Sequence, residues 1–314
     1  MTSYVVRRLI QTLITLIIIS FLCFLLIRLI PGDPVQVMLG PTAPAEQIAQ
    51  ARAFLGLDKP FIVQYANWMK NAFQGDLGTS IRYGYPVTDL FMQRLPITAY
   101  LSLLSLILST FVGIFIGIIS ALRRGSFLDQ GLVVLATIGV CIPIFWLGII
   151  GVLIFGLYLH WLPIQGWVSP TVDFGKSARY AIIPVILLAI PSLAVVARQT
   201  RSSMLEVIHQ DYIRTAWSKG LRERVIVLRH ALKNALIPII TLLGLQVRIL
   251  FGGSVLVETV LNIPGMGRLL VDSAFTKDYF VLQGGVLIMG IAVCLVNLLV
   301  DISYTWIDPR IRYE

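Results

Sequence analysis

The feature that most constrains this chain is a set of six apolar runs, each long enough to cross a bilayer. A span takes about 20 apolar residues, because the hydrocarbon core is about 30 Å thick and a helix rises about 1.5 Å per residue. The runs lie near Leu9–Ile30, Ile97–Leu122, Gly131–Tyr158, Tyr180–Ala197, Leu236–Val260 and Leu282–Trp306. In lipid, every backbone polar group has to be satisfied within its own segment. The expected fold is therefore an all-α membrane protein with six transmembrane helices. Composition agrees: only 13% of residues are charged, against about 25% in soluble domains. The first run is too long for a signal-peptide core and lacks a small-residue cleavage pattern, so it is read as a span.

The formal charge of +9 does not indicate nucleic acid, since the basic residues are not gathered on a soluble domain. They report orientation instead. With both termini inside, the inner segments carry 14 Lys/Arg in about 62 residues and the outer ones 9 in about 108. The positive-inside rule then places the N- and C-termini in the cytoplasm. The chain divides into a cytoplasmic N-terminus and first span (1–30), an extracytoplasmic loop (31–96), a transmembrane core (97–306) that includes the polar stretch 198–235, and a cytoplasmic tail (307–314).

The loop 31–96 is large enough to fold. Two amphipathic helices are expected in it: Ala45–Leu55, stopped by Gly56, and Phe61–Phe73, with Ile62, Tyr65, Met69 and Phe73 along one side. Loops of this length with their own structure are usually functional, and a cap over the outer mouth is expected.

The second and third spans carry small residues (Gly113, Gly117, Ser120, Ala121, Gly139, Gly148, Gly151) that permit close helix packing. Pro143, Pro184 and Pro191 are candidate kinks. Arg28 and Glu258 stand near outer span ends, where they are expected to reach water. Asp301 lies about five residues from the inner end of the sixth span, where cytoplasmic-side groups can pair with it. Arg248 falls near the middle of the fifth span. A charge there costs about 3 kcal/mol or more unless it meets water or a partner. Arg248 is thus expected either to line a wet pathway, where it would hold a substrate carboxylate, or to pair with a neighbouring subunit. Gln246 is assigned to the same pathway.

The chain encodes no motor. Gly175-Lys176-Ser177 resembles the end of a P-loop, but Pro170 stands where the first glycine belongs and the segment faces outward. His160, His209 and His230 have no metal-ligand spacing. Cys23, Cys141 and Cys294 lie in apolar runs and form no disulfide framework. No serine–histidine dyad or paired intramembrane aspartates point to a protease. No cofactor, metal or catalytic residue is expected, so energy has to arrive from outside.

The place to receive it is Arg198–Ala235, a polar island between two spans, with eight Lys/Arg against three acids. Asp211 is expected to cap a short helix and Gly220 to end it in the left-handed conformation. Ile213, Ala216 and Trp217 then share one face.

Taken in order, several stretches resemble the integral membrane permease of peptide/nickel-type ABC importers, over essentially the whole chain. They are Ile30-Pro31-Gly32-Asp33-Pro34, Leu55-Gly56-Leu57-Asp58-Lys59-Pro60 with Gln64-Tyr65 and Trp68, and Gly75-Asp76-Leu77-Gly78. Then come Asp211-Tyr212-Ile213-Arg214-Thr215-Ala216, Lys219-Gly220-Leu221 and Arg229-His230-Ala231-Leu232-Lys233-Asn234-Ala235-Leu236-Ile237-Pro238. Glu258-Thr259, Asn262, Pro264-Gly265-Met266-Gly267-Arg268-Leu269 and Asp308-Pro309-Arg310 complete the series. The central stretch is similar to the family's "EAA" loop.

The resemblance implies the ABC importer permease fold in a bacterial inner membrane. It also implies a heterodimer with a second permease, two cytoplasmic ATPase subunits and an extracytoplasmic binding protein. The EAA loop would be the coupling helix, with Tyr212, Ile213, Ala216 and Trp217 filling a groove of the ATPase. Asp211, Thr215 and Leu221 belong to the same element, Gly220 would set its reversal, and Lys219, Arg222 and Arg224 would meet an acidic rim. The sequence departs from the family pattern at Trp217, where a small or polar residue is common, at Arg222, where a serine often caps the next helix, and at Arg248. The implied cargo is a di- or oligopeptide, with a nickel chelate or glutathione as the alternative. A secondary transporter would need an inverted repeat and ion ligands at the midplane, and neither is present; a scaffold without transport is the third option.

Overall fold

A computed structural model describes residues 2–29, 35, 39–40, 42–54 and 56–307. Residues 31–34, Leu55, residues 308–314 and the side chains of Arg28 and Asp301 lie outside the described set. The helices are α1 (Thr2–Leu29), α2 (Ala45–Phe54), α3 (Phe61–Phe73), α4 (Val87–Leu122), α5 (Phe127–Cys141), α6 (Ile144–Tyr158), α7 (Phe174–Ile208), α8 (Asp211–Ser218), α9 (Glu223–Val260), α10 (Met266–Thr276) and α11 (Tyr279–Ile307). Among the described residues the only β pairing is an isolated bridge between Thr79 and Pro86.

Five helices (α1, α4, α7, α9 and α11) are long and apolar enough to span a membrane, and α5 with α6 makes a sixth span only as a pair bent by 99°. The break is where the sequence reading allowed no more than a kink. Ile142 is extended (φ −78°, ψ 129°) and Pro143 opens α6, because proline lacks the N–H and drives the preceding residue out of the helical region. Pro184 and Pro191, by contrast, sit inside a continuous α7.

The chain divides into two compact units. One holds Thr2–Ile97 and Pro264–Leu295. Its α1 and α3 meet through aromatic rings: Phe24 lies 5.2 Å from Phe61, 5.6 Å from Tyr65 and 5.7 Å from Trp68, centroid to centroid. The inward stripe of α3 is therefore Phe61, Tyr65 and Trp68, whereas Ile62 and Phe73 are exposed. The expected stripe was rotated because α1 presents aromatic partners to one side of the helix that its own periodicity could not reveal. A second core joins Leu77, Val87, Leu90, Phe91, Met266, Leu269 and Val281. Beside it the buried Asp278 accepts from Ser80 Oγ and from the Arg82 amide.

The other unit holds Thr98–Ile263 and the chain from Val296 onward. Here α7 has the largest buried share of the candidate spans, and it packs on α5, α6 and α9. Its contact with α4 is made by absent side chains. A Cβ on Gly117 would stand 2.4 Å from Thr200 Cβ and 2.7 Å from the Ala197 carbonyl, and one on Gly113 2.9 Å from Val196 Cβ. Glu258, expected to reach water, is instead fully buried and accepts a 2.6 Å hydrogen bond from Thr98 Oγ1. A polar partner on α4, 160 positions away in sequence, made burial affordable where position along the helix suggested exposure.

Candidate coupling site

The polar island folds as expected in outline and differently in register. α7 runs on to Ile208, and α8 follows after a two-residue break. The N-cap is Gln210 (φ −73°, ψ 148°), with no side-chain cap. Asp211 is already the first helical residue, so its carboxylate does not cap; it is almost fully exposed and lies 3.7 Å from Arg214. There it still favours the helix through the dipole.

The C-terminus closes in a Schellman turn. Gly220 (φ +72°) donates its N–H to the Trp217 carbonyl at 2.9 Å, and Leu221 donates to the Ala216 carbonyl at 3.4 Å. That pair of bonds satisfies carbonyls the helix leaves open, and it needs a left-handed residue at the turn. The following cap position, Arg222, gives no side-chain cap, as its departure from serine implied.

One face of α8 is committed to the chain itself. Ile213 is fully buried and Ala216 nearly so; both pack with Ala121 of α4, Met204 of α7, and Ile226, Val227, Ala231 and Ala235 of α9. α9 passes through a π-helical turn at Ile226–Ala231. Tyr212 adds a polar tie, its hydroxyl accepting from Asn234 Nδ2 at 2.7 Å. The sequence grouped Ile213 and Ala216 with Trp217 for a partner's groove, but these two serve to hold α8 to the permease. Tyr212 and Trp217 are about half exposed, and Asp211, Thr215, Lys219, Leu221 and Arg224 are exposed. α8 is thus a short helix with a buried root and an open, aromatic and basic outer face.

A cluster that sequence reasoning missed stiffens the same end. Asp129, buried in the first turn of α5, takes a bidentate pair from Arg201 of α7 (Nε to Oδ1 2.7 Å, Nη2 to Oδ2 2.8 Å). It also accepts from Ser120 Oγ of α4 and, at 3.0 Å, from the Gly125 amide. One carboxylate therefore ties three helices together next to the α8 core. Its signal in the sequence was faint: Asp129 is the one acid in the short inner segment that carries Arg123 and Arg124.

Arg248 and Gln246 are not brought together. Two positions apart, they point about 200° from each other around α9. Gln246 is buried and Arg248 exposed, with no ion pair or hydrogen bond to a described residue. Among the described residues, no three His, Cys, Asp or Glu are placed to hold a metal.

The family model described as "Binding-protein-dependent transport system inner membrane component" matches residues 113–313, and its N-terminal counterpart matches residues 1–102. The chain belongs to this permease family. It is 42% identical over 313 residues to a probable peptide ABC transporter permease of Sinorhizobium fredii, covering all of both chains. It is 41% identical to the di/tripeptide permease DppB of Pseudomonas aeruginosa over 335 residues and to the oligopeptide permease AppB of Bacillus subtilis over 316, again with full coverage of both chains. The solved inward-facing MetNI methionine ABC transporter shares the fold: TM-score 0.57 at 17% identity, covering 70% of this chain and 96% of that one. The protein is accordingly a multi-pass membrane permease subunit of an ABC transporter, and not itself an enzyme.

Proposed function

We propose that the protein forms half of the pathway by which an ATP-driven importer moves di- or oligopeptides across a bacterial inner membrane. The observation that carries this reading is full-length similarity, at 41–42% identity, to permeases of peptide transport systems. Both termini lie in the cytoplasm, a reading supported by the higher density of Lys and Arg in the segments that this orientation places inside. A second, similar permease completes the pathway, two ATPases dock beneath, and an extracytoplasmic protein delivers peptide.

The coupling contact is the outer face of α8. Tyr212 and Trp217 supply apolar anchors, Lys219 and Arg224 meet acidic groups, and Asp211, Thr215 and Leu221 line the rim. Ile213, Ala216 and the Gly220 turn keep the helix rigid on its own core, so motion of an ATPase reaches α4, α7 and α9 without loss. Arg248 lines the pathway and offers its guanidinium to a peptide carboxylate. Gln246 supports the helix behind it.

The test is reconstitution of the permease pair with its ATPases and binding protein in liposomes. Uptake of labelled dipeptide that needs ATP on the cytoplasmic side and binding protein on the other supports the assignment. Uptake driven by an ion gradient without ATPase would overturn it.

A further inference from the structure

The Pro264-Gly265-Met266-Gly267-Arg268 stretch lies outside the proposed coupling face, and it builds a cavity in the unit that holds α3 and α10. The cavity measures about 220 Å³ and is lined by Tyr83, Arg94, Pro264, Gly265, Arg268 and Asp272, with Leu269 beneath. Arg94 is held in place by donating from Nη1 to the Pro264 carbonyl at 3.2 Å, and its Nε–H is buried with no acceptor. Arg268 Nε stands 3.6 Å from Asp272 Oδ2, both side chains about one-third exposed. Two guanidinium side chains and one carboxylate thus line the recess. α10 opens at the same place: Gly265 is its N-cap, with no side-chain cap, so the helix dipole adds positive potential.

We propose that this recess is a carboxylate socket that takes an acidic side chain from a protein docking on this face. Guanidinium forks match carboxylates in two-point geometry, which lysine does not. The size decides what enters: whole small-molecule ligands occupy about 300–1,000 Å³, so this recess admits one acidic side chain rather than a whole peptide. Asp272 holds Arg268 until the incoming carboxylate replaces it. The inference rests on the importer reading, whose topology turns this face outward to the delivery protein.

The experiment uses the reconstituted complex and the peptide-loaded binding protein of the same transport system, with ATPase stimulation as the readout. Arg94→Gln and Arg268→Gln are expected to raise the half-saturating concentration of binding protein about tenfold, the scale of one charge-assisted hydrogen bond. Basal ATPase activity without binding protein stays unchanged. Asp272→Asn removes the internal competitor and lowers that concentration, and Arg268→Lys behaves like Arg268→Gln. Unchanged half-saturation in both arginine variants overturns the socket, as does an Asp272→Asn defect equal to that of Arg268→Gln. If half-saturation holds but the variants cease to distinguish a free-acid dipeptide from its C-terminal amide, the recess takes cargo and the docking assignment is wrong. A wild-type complex that no binding protein stimulates removes the importer reading and the socket together, whereas stimulation with insensitive variants removes the socket alone.

Discussion

Replacing Gly220 isolates the stiffness of α8, the proposed coupling helix, from its contacts. Gly220 sits at φ +72°, and a Cβ built there meets nothing within 4 Å. Any effect of Gly220→Ala is therefore backbone strain and not a clash. The left-handed conformation costs an L-residue about 1–2 kcal/mol, which lowers the population of the closed turn about 5- to 30-fold. Asparagine tolerates this region better, and a β-branched residue tolerates it worst. The expected order of damage is Asn, then Ala, then Val. Hydrogen exchange reads the turn directly, because the amides of residue 220 and Leu221 bond the Trp217 and Ala216 carbonyls. Their protection falls in that order, and peptide moved per ATP falls with it while the permease stays in the membrane. Wild-type protection and coupling in Gly220→Val, or equal damage from Asn and Val, would refute the reasoning.

Three further outcomes follow from the packing. Arg201→Met strands the buried Asp129 carboxylate and lowers stability by about 3 kcal/mol; adding Asp129→Asn recovers most of the loss, measured as thermal unfolding in detergent. Gly117→Ala forces α4 from α7 and costs about 1–3 kcal/mol, whereas Gly131→Ala, with open space around the new Cβ inside α5, costs nothing and gains up to about 1 kcal/mol in the same assay. Arg248→Ala assembles normally but loses its preference for free-acid over C-terminally amidated dipeptide in competition uptake.

Much of this was legible from local chemistry. The apolar runs located the spans, and Gly220 located the end of α8, since only a left-handed residue closes that turn. What stayed hidden was set by backbone register or by partners distant in sequence. Asp211 has the right side chain for a cap, but the chain leaves extended geometry one residue earlier, at Gln210. Ile213 and Trp217 share a helical stripe by spacing, yet Met204 and Ile226 close over the first and leave the second open. The same holds for Asp129 with Arg201, 72 positions apart, and for Glu258 with Thr98. For Ile213 and Glu258 a distant partner overrode the exposure that position alone implied, whereas for Asp211 a one-residue difference in backbone register decided the outcome.

The central claim is that α8 has a root held by the permease and an outer face held by the ATPase. Site-directed cross-linking in the assembled transporter tests it most directly, with cysteine placed at Trp217 or at Ile213 in a background lacking Cys23, Cys141 and Cys294. The account predicts cross-links from position 217 to the ATPase and none from position 213. Cross-links from position 213 alone, or from neither, would contradict it.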